Sequence, residues 1–350
     1  MKNLQYLNQP TGRFIQEDGR AYLFFGGTAY LGLLDNSDYI TLYKEGIDRY
    51  GLNNGTSRNN NIQLGIYDEA ENHTALRFGF EDAILLSSGY LAAQLAVKVF
   101  SKYGELIYAP GTHPALWVDG ESNAEGNFDD WVVKTVNYIN HSKKDEFVVV
   151  SNALDNLTPM LYDFSGFKAL DVRKKVIFVL DDSHGIGVLK KNSISINMDL
   201  ANQPNLKLVV VASLAKGMGT DAGVVLGSKE CIDNLLKHPI FGGASPPSPA
   251  GLYALINGEA IYEEAFDKLH NNISAAQQLF ASLSFKSIPH FPVFTSVDSS
   301  LFNYLLESNV LISSFPYPFL TSPLLNRIVI SALHEEADFR HIAATVKAKL

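Results

Sequence analysis

The sequence predicts an α/β protein: a large domain built on a mostly parallel sheet, followed by a smaller α+β carboxyl-terminal domain. Three observations carry this expectation. Short apolar runs alternate with helical segments from Asp68 to Ser228. Two of the runs, Val176 to Leu180 and Val209 to Val211, are apolar throughout, as strands covered on both faces are. After Ser228 the alternation stops, and a proline-rich turn and a long helical run lead into a mixed region from Pro292 to Ala332. The expected boundaries are 1–40 for an N-terminal arm, 41–235 for the large domain and 236–350 for the smaller one.

Taken in order, Gly19 to Phe25 reads as a hairpin-like piece, and Tyr39 to Tyr50 has helical spacing of Ile40, Leu42, Tyr43 and Ile47 before it stops at Gly51. The asparagine- and glycine-rich stretch from Gly51 to Asn61 is predicted as a loop. A helix from Asp68 to Arg77 leads to a strand beginning at Ala83, a Ser87-Ser88-Gly89 turn and an apolar helix reaching Phe100. Strands at Leu106 to Ala109 and Phe147 to Val150 deliver Thr112 and His113, and then Ser151, Asn152 and Asn156. The strand at Val176 ends in Asp181, Asp182 and His184, and the one at Val209 ends in Ser213 and Lys216 before Val224 to Leu226. Beyond these, the prolines between Phe241 and Ala250 block helix, a helical run spans Leu252 to Leu283, and a shorter helix covers Ser299 to Glu307.

Composition narrows the function classes. A chain of 350 residues with 46% hydrophobic and 19% charged residues can bury a core for one large and one small domain. Its net charge of −9 argues against a general nucleic-acid or membrane-surface role. The single Cys231 excludes an internal disulfide and fits a reducing compartment. No apolar run reaches membrane-span length, and Met1-Lys-Asn-Leu-Gln5 lacks the apolar region of a signal peptide, so a cytoplasmic location is expected.

Several residues carry candidate chemistry, each beside a plainer reading. Lys216, between two buried strands with Gly217, Gly219 and Gly223 nearby, is either a loop cation among turn glycines or a desolvated amine able to attack an aldehyde. Strand ends are where ligands bind in parallel α/β sheets, so Asp181, Asp182 and His184 read as site residues, or else as a helix cap, a metal pair and a core histidine. No further His or Cys stands at ligand spacing, and no metal is expected. The turn at Ser88, Gly89 and Tyr90 would aim free backbone N–H groups at an anion such as phosphate, or simply cap its helix. Arg327 suits a carboxylate or is a solvated edge-strand residue, and the stretch holding Ser57 and Arg58 reads as a solvated loop.

In this order and spacing, these stretches resemble the α-oxoamine synthase family of pyridoxal 5'-phosphate (PLP) enzymes, fold type I (aspartate aminotransferase-like). The likeness runs from Tyr30-Leu31-Gly32-Leu33 through Tyr50-Gly51, Gly55-Thr56-Ser57-Arg58, Ser88-Gly89-Tyr90, Thr112-His113, Asp181-Asp182-Ser183-His184 and Ser213-x-x-Lys216 to the Arg327 to His334 segment. The resemblance implies that Lys216 is the Schiff-base lysine, Asp181 the partner of the cofactor's ring nitrogen, His184 that of its ring oxygen, and His113 the stacking group that assists acid/base chemistry. It also implies Ser88, Gly89, Tyr90 and Ser213 at the phosphate, Asn156 near the cofactor oxygen, and Arg327, Ser57, Arg58 and Thr28 at the substrate. The implied reaction condenses an amino acid with an acyl thioester, carried by coenzyme A or a carrier protein, with loss of carbon dioxide to give an α-amino ketone. Aminotransferase or lyase chemistry on the same fold, or a homologue without turnover, are the other readings. A homodimer with shared active sites is implied too, with the N-terminal arm crossing toward the partner.

The chain departs from the family pattern in places. Thr28 replaces the asparagine before Tyr-Leu-Gly-Leu, and Tyr67 replaces the histidine that follows the glycine-rich loop. The Ser151 to Met160 segment loses a glutamate, and Gly243 and Ala244 fall where a hydroxyl residue crosses to the partner's phosphate. The last third of the chain, where acyl and substrate pockets are shaped, is short.

Overall fold

A computed structural model describes residues 6–118, 120, 124–316 and 321–349. The stretch Met1 to Gln5 and residues 317–320 of the expected carboxyl-terminal domain lie outside the described residues.

The chain opens with a hairpin, β1 (Phe14–Glu17) and β2 (Arg20–Phe25), and then α1 (Ser37–Tyr50), whose N-cap Asn36 accepts from the Asp38 and Tyr39 amides. There follow α2 (Ile66–Phe78), β3 (Asp82–Leu86), α3 (Gly89–Phe100), β4 (Glu105–Tyr108), α4 (Phe128–His141) and β5 (Glu146–Asn152). A small hairpin, β6 (Leu154–Asp155) and β7 (Met160–Leu161), precedes β8 (Lys175–Asp181), β9 (Leu206–Ser213) and β10 (Gly223–Gly227). The last third contains α5 (Lys229–Leu236), α6 (Pro239–Gly243), α7 (Pro249–Asn257), α8 (Glu259–Phe280), β11 (Val293–Ser296), α9 (Leu301–Glu307), β12 (Val310–Pro316), β13 (Leu324–Val329) and α10 (Glu336–Lys349).

The large sheet runs β3-β10-β9-β8-β5-β4. Pairing is parallel from β9 through β4, and antiparallel where β10 meets β9 and β3. Side chains alternate across it. Leu208, Val210 and Ala212 of β9 join the main core, while Val209 and Val211 join a second cluster that α3 supplies with Ala92, Leu95 and Ala96. That two-sided burial explains why these strands read as unbroken apolar runs. Polar residues can appear only at the strand ends, where the functional side chains gather.

The smaller sheet is β1-β2-β12-β13-β11, so the N-terminal hairpin is built into the carboxyl-terminal sheet through the parallel β2–β12 pair. His334 fastens the same junction. Its ring stacks on Phe25 at 4.0 Å and 5°, its Nε2 donates to the Phe24 carbonyl at 2.9 Å, and its Nδ1 accepts from the Ser331 amide at 2.9 Å.

Two expectations need correction here. The helical run from Leu252 to Leu283 is divided between α7 and α8 by Gly258, where a Cβ would stand 2.8 Å from the Ala254 carbonyl oxygen. The stretch from Phe241 to Ala250 is not free of helix either: α6 runs on to Gly243, and α7 begins at Pro249, a first-turn position that needs no amide donor. No helix among the described residues is long and apolar enough to cross a membrane.

Candidate active site

The carboxyl ends of β4, β5, β8 and β9 converge on one cleft, lined by Gly111, His113, Asn152, Asn156, Asp181, His184 and Lys216 among others. Lys216 Nζ lies 3.0 Å from His184 Nε2, and His184 Nδ1 lies 2.7 Å from the Tyr30 hydroxyl. Burial is the largest influence on the lysine. It lowers the ammonium pKa, Asp181 opposes that by its charge, and Arg327 adds to it. The same burial, with the charges of Lys216, Arg327 and His113, holds His184 well below its ordinary value, so its imidazole is neutral. His113 is lowered as well, by burial and Lys216 against the pull of Asp181.

Each of these side chains has a local reason for its place. His113 caps the short turn Pro114–Leu116, its Nδ1 accepting from the Ala115 amide at 3.1 Å. Asn152, at the end of β5, accepts from the His113 amide at 3.0 Å and donates to the Gly111 carbonyl at 2.8 Å, pinning the turn that carries the histidine. Asp181 accepts from the Ser183 amide at 2.8 Å, and the Ser183 hydroxyl accepts from the Ser213 amide at 2.9 Å. That relay ties the tips of β8 and β9 together. Asp182 faces away into the core, where burial lifts its pKa to about 7 and the Ser195 amide and hydroxyl donate to it.

The turn before α3 is set by close approach. Ser88 caps the helix by accepting from the Leu91 amide at 3.2 Å, which leaves the first N–H groups of the helix without intrahelical acceptors. A Cβ on Gly89 would come within 2.5 Å of Ser213 Cβ, and one on Gly223 within 2.1 Å of the Ser88 carbonyl oxygen. The turn is therefore pressed against Ser213, and the Tyr90 side chain projects outward, 61% exposed.

The altered segment after β5 forms a tight cap over the cleft. Asp155 Oδ1 accepts from the Leu157 and Thr158 amides at 2.8 and 3.0 Å and closes the β6–β7 hairpin, which sets Asn156 on the cleft wall.

Arg327 comes from the other sheet. It sits on β13 opposite Thr295 and Ser313, is 4% exposed, and leaves Nε and Nη2 buried with no hydrogen-bond partner. Its charge acts on Lys216, His184 and Tyr30 alike. Unanswered donors on a buried guanidinium suit a planar anion.

Other expected residues are not brought to this cleft. Ser57 lines a separate cavity with Asn53 to Thr56 and Gly243 to Pro246. Arg58, expected at the substrate, is instead taken up by Glu71, with both Nη to Oε distances 2.9 Å, and its guanidinium lies over the Tyr67 and Phe241 rings. Thr28 accepts from the Tyr30 amide through its carbonyl and stands in the turn that delivers Tyr30. Tyr30 itself, Ser183 and Asn152 are site residues that sequence reading did not assign. For Tyr30 the signal was there, since it opens the Tyr-Leu-Gly-Leu motif.

The residues present fit a pyridine aldehyde phosphate. A buried amine of lowered pKa, a carboxylate beside it and a backbone cradle with no room for a Cβ stand around one cleft. Comparison with known proteins agrees. No family model matches the chain. It is 25% identical to the 8-amino-7-oxononanoate synthase of Dechloromonas aromatica, over 97% of this chain and 93% of that one. With a putative 8-amino-7-oxononanoate synthase of Methanococcus aeolicus the identity is 26%, over 94% and 91%. Among solved structures, the serine palmitoyltransferase of Sphingomonas wittichii superposes with a TM-score of 0.80 at 17% identity, covering 98% of this chain and 91% of that one. The 8-amino-7-oxononanoate synthase of Francisella tularensis gives 0.70 at 18%, covering 94% and 98%. Fold and cleft together define a PLP-dependent enzyme of fold type I. More narrowly, the chain is similar over nearly its whole length to α-oxoamine synthases, and the cleft and this likeness together support pyridoxal 5'-phosphate as its cofactor.

Proposed function

We propose that the protein condenses an amino acid with an acyl thioester, with loss of carbon dioxide, to give an α-amino ketone. The observation that carries this reading is Arg327, whose two unpartnered buried donors lie beside the Lys216 network and match an amino-acid carboxylate. When bound, pyridoxal 5'-phosphate supplies an electron sink for the charge left at the amino acid's α-carbon. Lys216 would anchor the cofactor and, once released by the incoming amino acid, take the α-proton as a neutral amine, which its lowered pKa favours. Asp181 would keep a proton on the cofactor's ring nitrogen, and His184 would hydrogen-bond its ring oxygen. His113 would cover one face of the ring, in a rotamer set by its own cap. Ser88, Gly89, Tyr90 and Ser213 would hold the phosphate, and Asn156 would close the cleft.

Ser57 and its loop, with Gly243 and Ala244, form a second exposed cavity. We assign that face to the partner subunit of a homodimer, with each site completed across the interface. Light scattering at working concentration tests this: a fully active monomer would overturn it.

The reaction is tested by visible absorbance of the cofactor-loaded protein, titrated with single amino acids and then with acyl thioesters. A spectral change that one amino acid starts and a thioester completes, with carbon dioxide released, supports condensation. If the amino acid changes the spectrum and thioesters add nothing, the protein is an aminotransferase or lyase, a reading that the recast hairpin around Asp155 favours over turnover loss.

A further inference from the structure

His184 lies between two groups that could each set its hydrogen. On one side is Lys216 Nζ at 3.0 Å, and on the other the Tyr30 hydroxyl at 2.7 Å. Which ring nitrogen carries the hydrogen decides what the imidazole can offer the cleft: an N–H donor or a lone pair.

Tyr30 resolves the choice. Its side chain is fully buried, so the phenol pKa is raised and it remains an O–H donor. The Arg327 guanidinium acts on the same hydroxyl by its charge. Among the described residues the partner of this buried hydroxyl is His184 Nδ1, so an Nδ1–H would leave the Tyr30 O–H without an acceptor. The one hydrogen of Tyr30 therefore goes to Nδ1 of His184. Nδ1 is thereby an acceptor, and Nε2 must carry the imidazole N–H.

We propose that Tyr30 is a positioning residue: by donating to Nδ1 it fixes His184 as the Nε2–H tautomer facing Lys216, and it links that imidazole to Arg327. Toward the cleft, His184 then presents a donor suited to an oxygen on the cofactor ring. The link to Arg327 gives it a second role. A carboxylate arriving at Arg327 offsets the positive charge that acts on the Tyr30 hydroxyl, so the hydrogen bond to Nδ1 responds to amino-acid occupancy. This second role rests on the reading of Arg327 as the carboxylate site; the tautomer does not. The charged and titratable groups facing His184 are Lys216 after β9, Arg327 on β13, His113 after β4 and Tyr30, so any change at one is felt at the imidazole.

The test is nitrogen-15 NMR of histidine-labelled, cofactor-loaded protein, with Tyr30→Phe beside wild type. The substitution removes the hydroxyl and keeps the ring that packs near Phe291. In wild type, Nδ1 of His184 is expected to be unprotonated and Nε2 protonated, with the other tautomer below about a tenth, the ratio that one buried hydrogen bond supports. In Tyr30→Phe both tautomers should appear. A wild-type Nδ1–H, or an unchanged tautomer in Tyr30→Phe, overturns the proposal. If the variant does not fold, the wild-type spectrum decides alone. Adding the amino acid that changes the cofactor absorbance should shift the His184 nitrogens in wild type and not in Tyr30→Phe. Retention of the cofactor band reports separately on the cofactor site, so failure of the tautomer and failure of the functional reading are told apart.

Discussion

Arg58 and Glu71 form a two-armed ion pair, each Nη to Oε distance 2.9 Å, in which Glu71 also accepts from the Leu85 amide at 2.9 Å. The pair joins the glycine-rich loop to α2 and to the edge strand of the large sheet. Both side chains are nearly enclosed, at 9% and 11% exposure, so neither partner has water to fall back on.

Breaking that pair on one side should therefore destabilise the protein more than it changes substrate affinity. Glu71→Gln or Arg58→Ala is expected to cost about 3–5 kcal/mol, which lowers the melting temperature by about 4–7 °C. Thermal unfolding followed by circular dichroism checks this. Full stability combined with a large rise in the amino-acid KM would return Arg58 to a substrate role.

Lys216→Ala should leave the fold intact and remove the absorbance that a lysine-bound cofactor gives. With both its anchoring and its base function gone, turnover is expected to fall by about 10²–10⁴ or more. Absorbance and rate measured on the same preparation decide it, with circular dichroism as the control for folding.

Arg327→Gln keeps part of the hydrogen bonding and loses the charge. Charge-assisted bonds contribute about 1.5–3 kcal/mol, so the amino-acid KM should rise by about 10- to 150-fold. Its effect on Lys216 goes the other way. Arg327 lowers the lysine pKa, so its removal should move the ascending, low-pH limb of the rate profile to higher pH. An unchanged KM would remove Arg327 from the substrate site.

His334 should make stability depend on pH. Burial pushes its pKa from 6.5 down to about 4 in the folded chain. Its folded value lies below its unfolded one, so its contribution is fully present above about pH 6.5 and is lost as the pH falls toward 4. At 1.36 kcal/mol per unit, the loss amounts to about 3 kcal/mol. His334→Gln should flatten the dependence of the urea midpoint on pH across that window, and an equally steep variant would refute the assignment.

The strand ends were legible because their causes are local. A strand covered on both faces admits only apolar side chains, so the first polar residues after Leu180 and Ala212 mark where the chain leaves the core. Asp181, His184, Ser213 and Lys216 all follow such runs. His113 and Asn156 could be expected from the family likeness, but the backbone interactions that hold them, from Asn152 and Asp155, depend on side chains caught by amides in turns. The break at Gly258 escaped the helical periodicity because apolar spacing continues across it, while the obstacle is a backbone carbonyl one turn earlier.

What the sequence by itself determined is the α/β order, the buried strands and the side chains at their tips, since period and polarity are written along the chain. The tertiary structure decided the partners. Arg58 and Arg327 are both arginines near expected site motifs. Only folding shows that one meets the carboxylate of Glu71, while the other is buried with two donors unanswered. Tyr30 and His184 stand 154 positions apart and meet at 2.7 Å because the N-terminal hairpin joins the carboxyl-terminal sheet and carries its following turn to the tip of β8. Contacts between distant segments depend on how two sheets pack, and no local pattern encodes that.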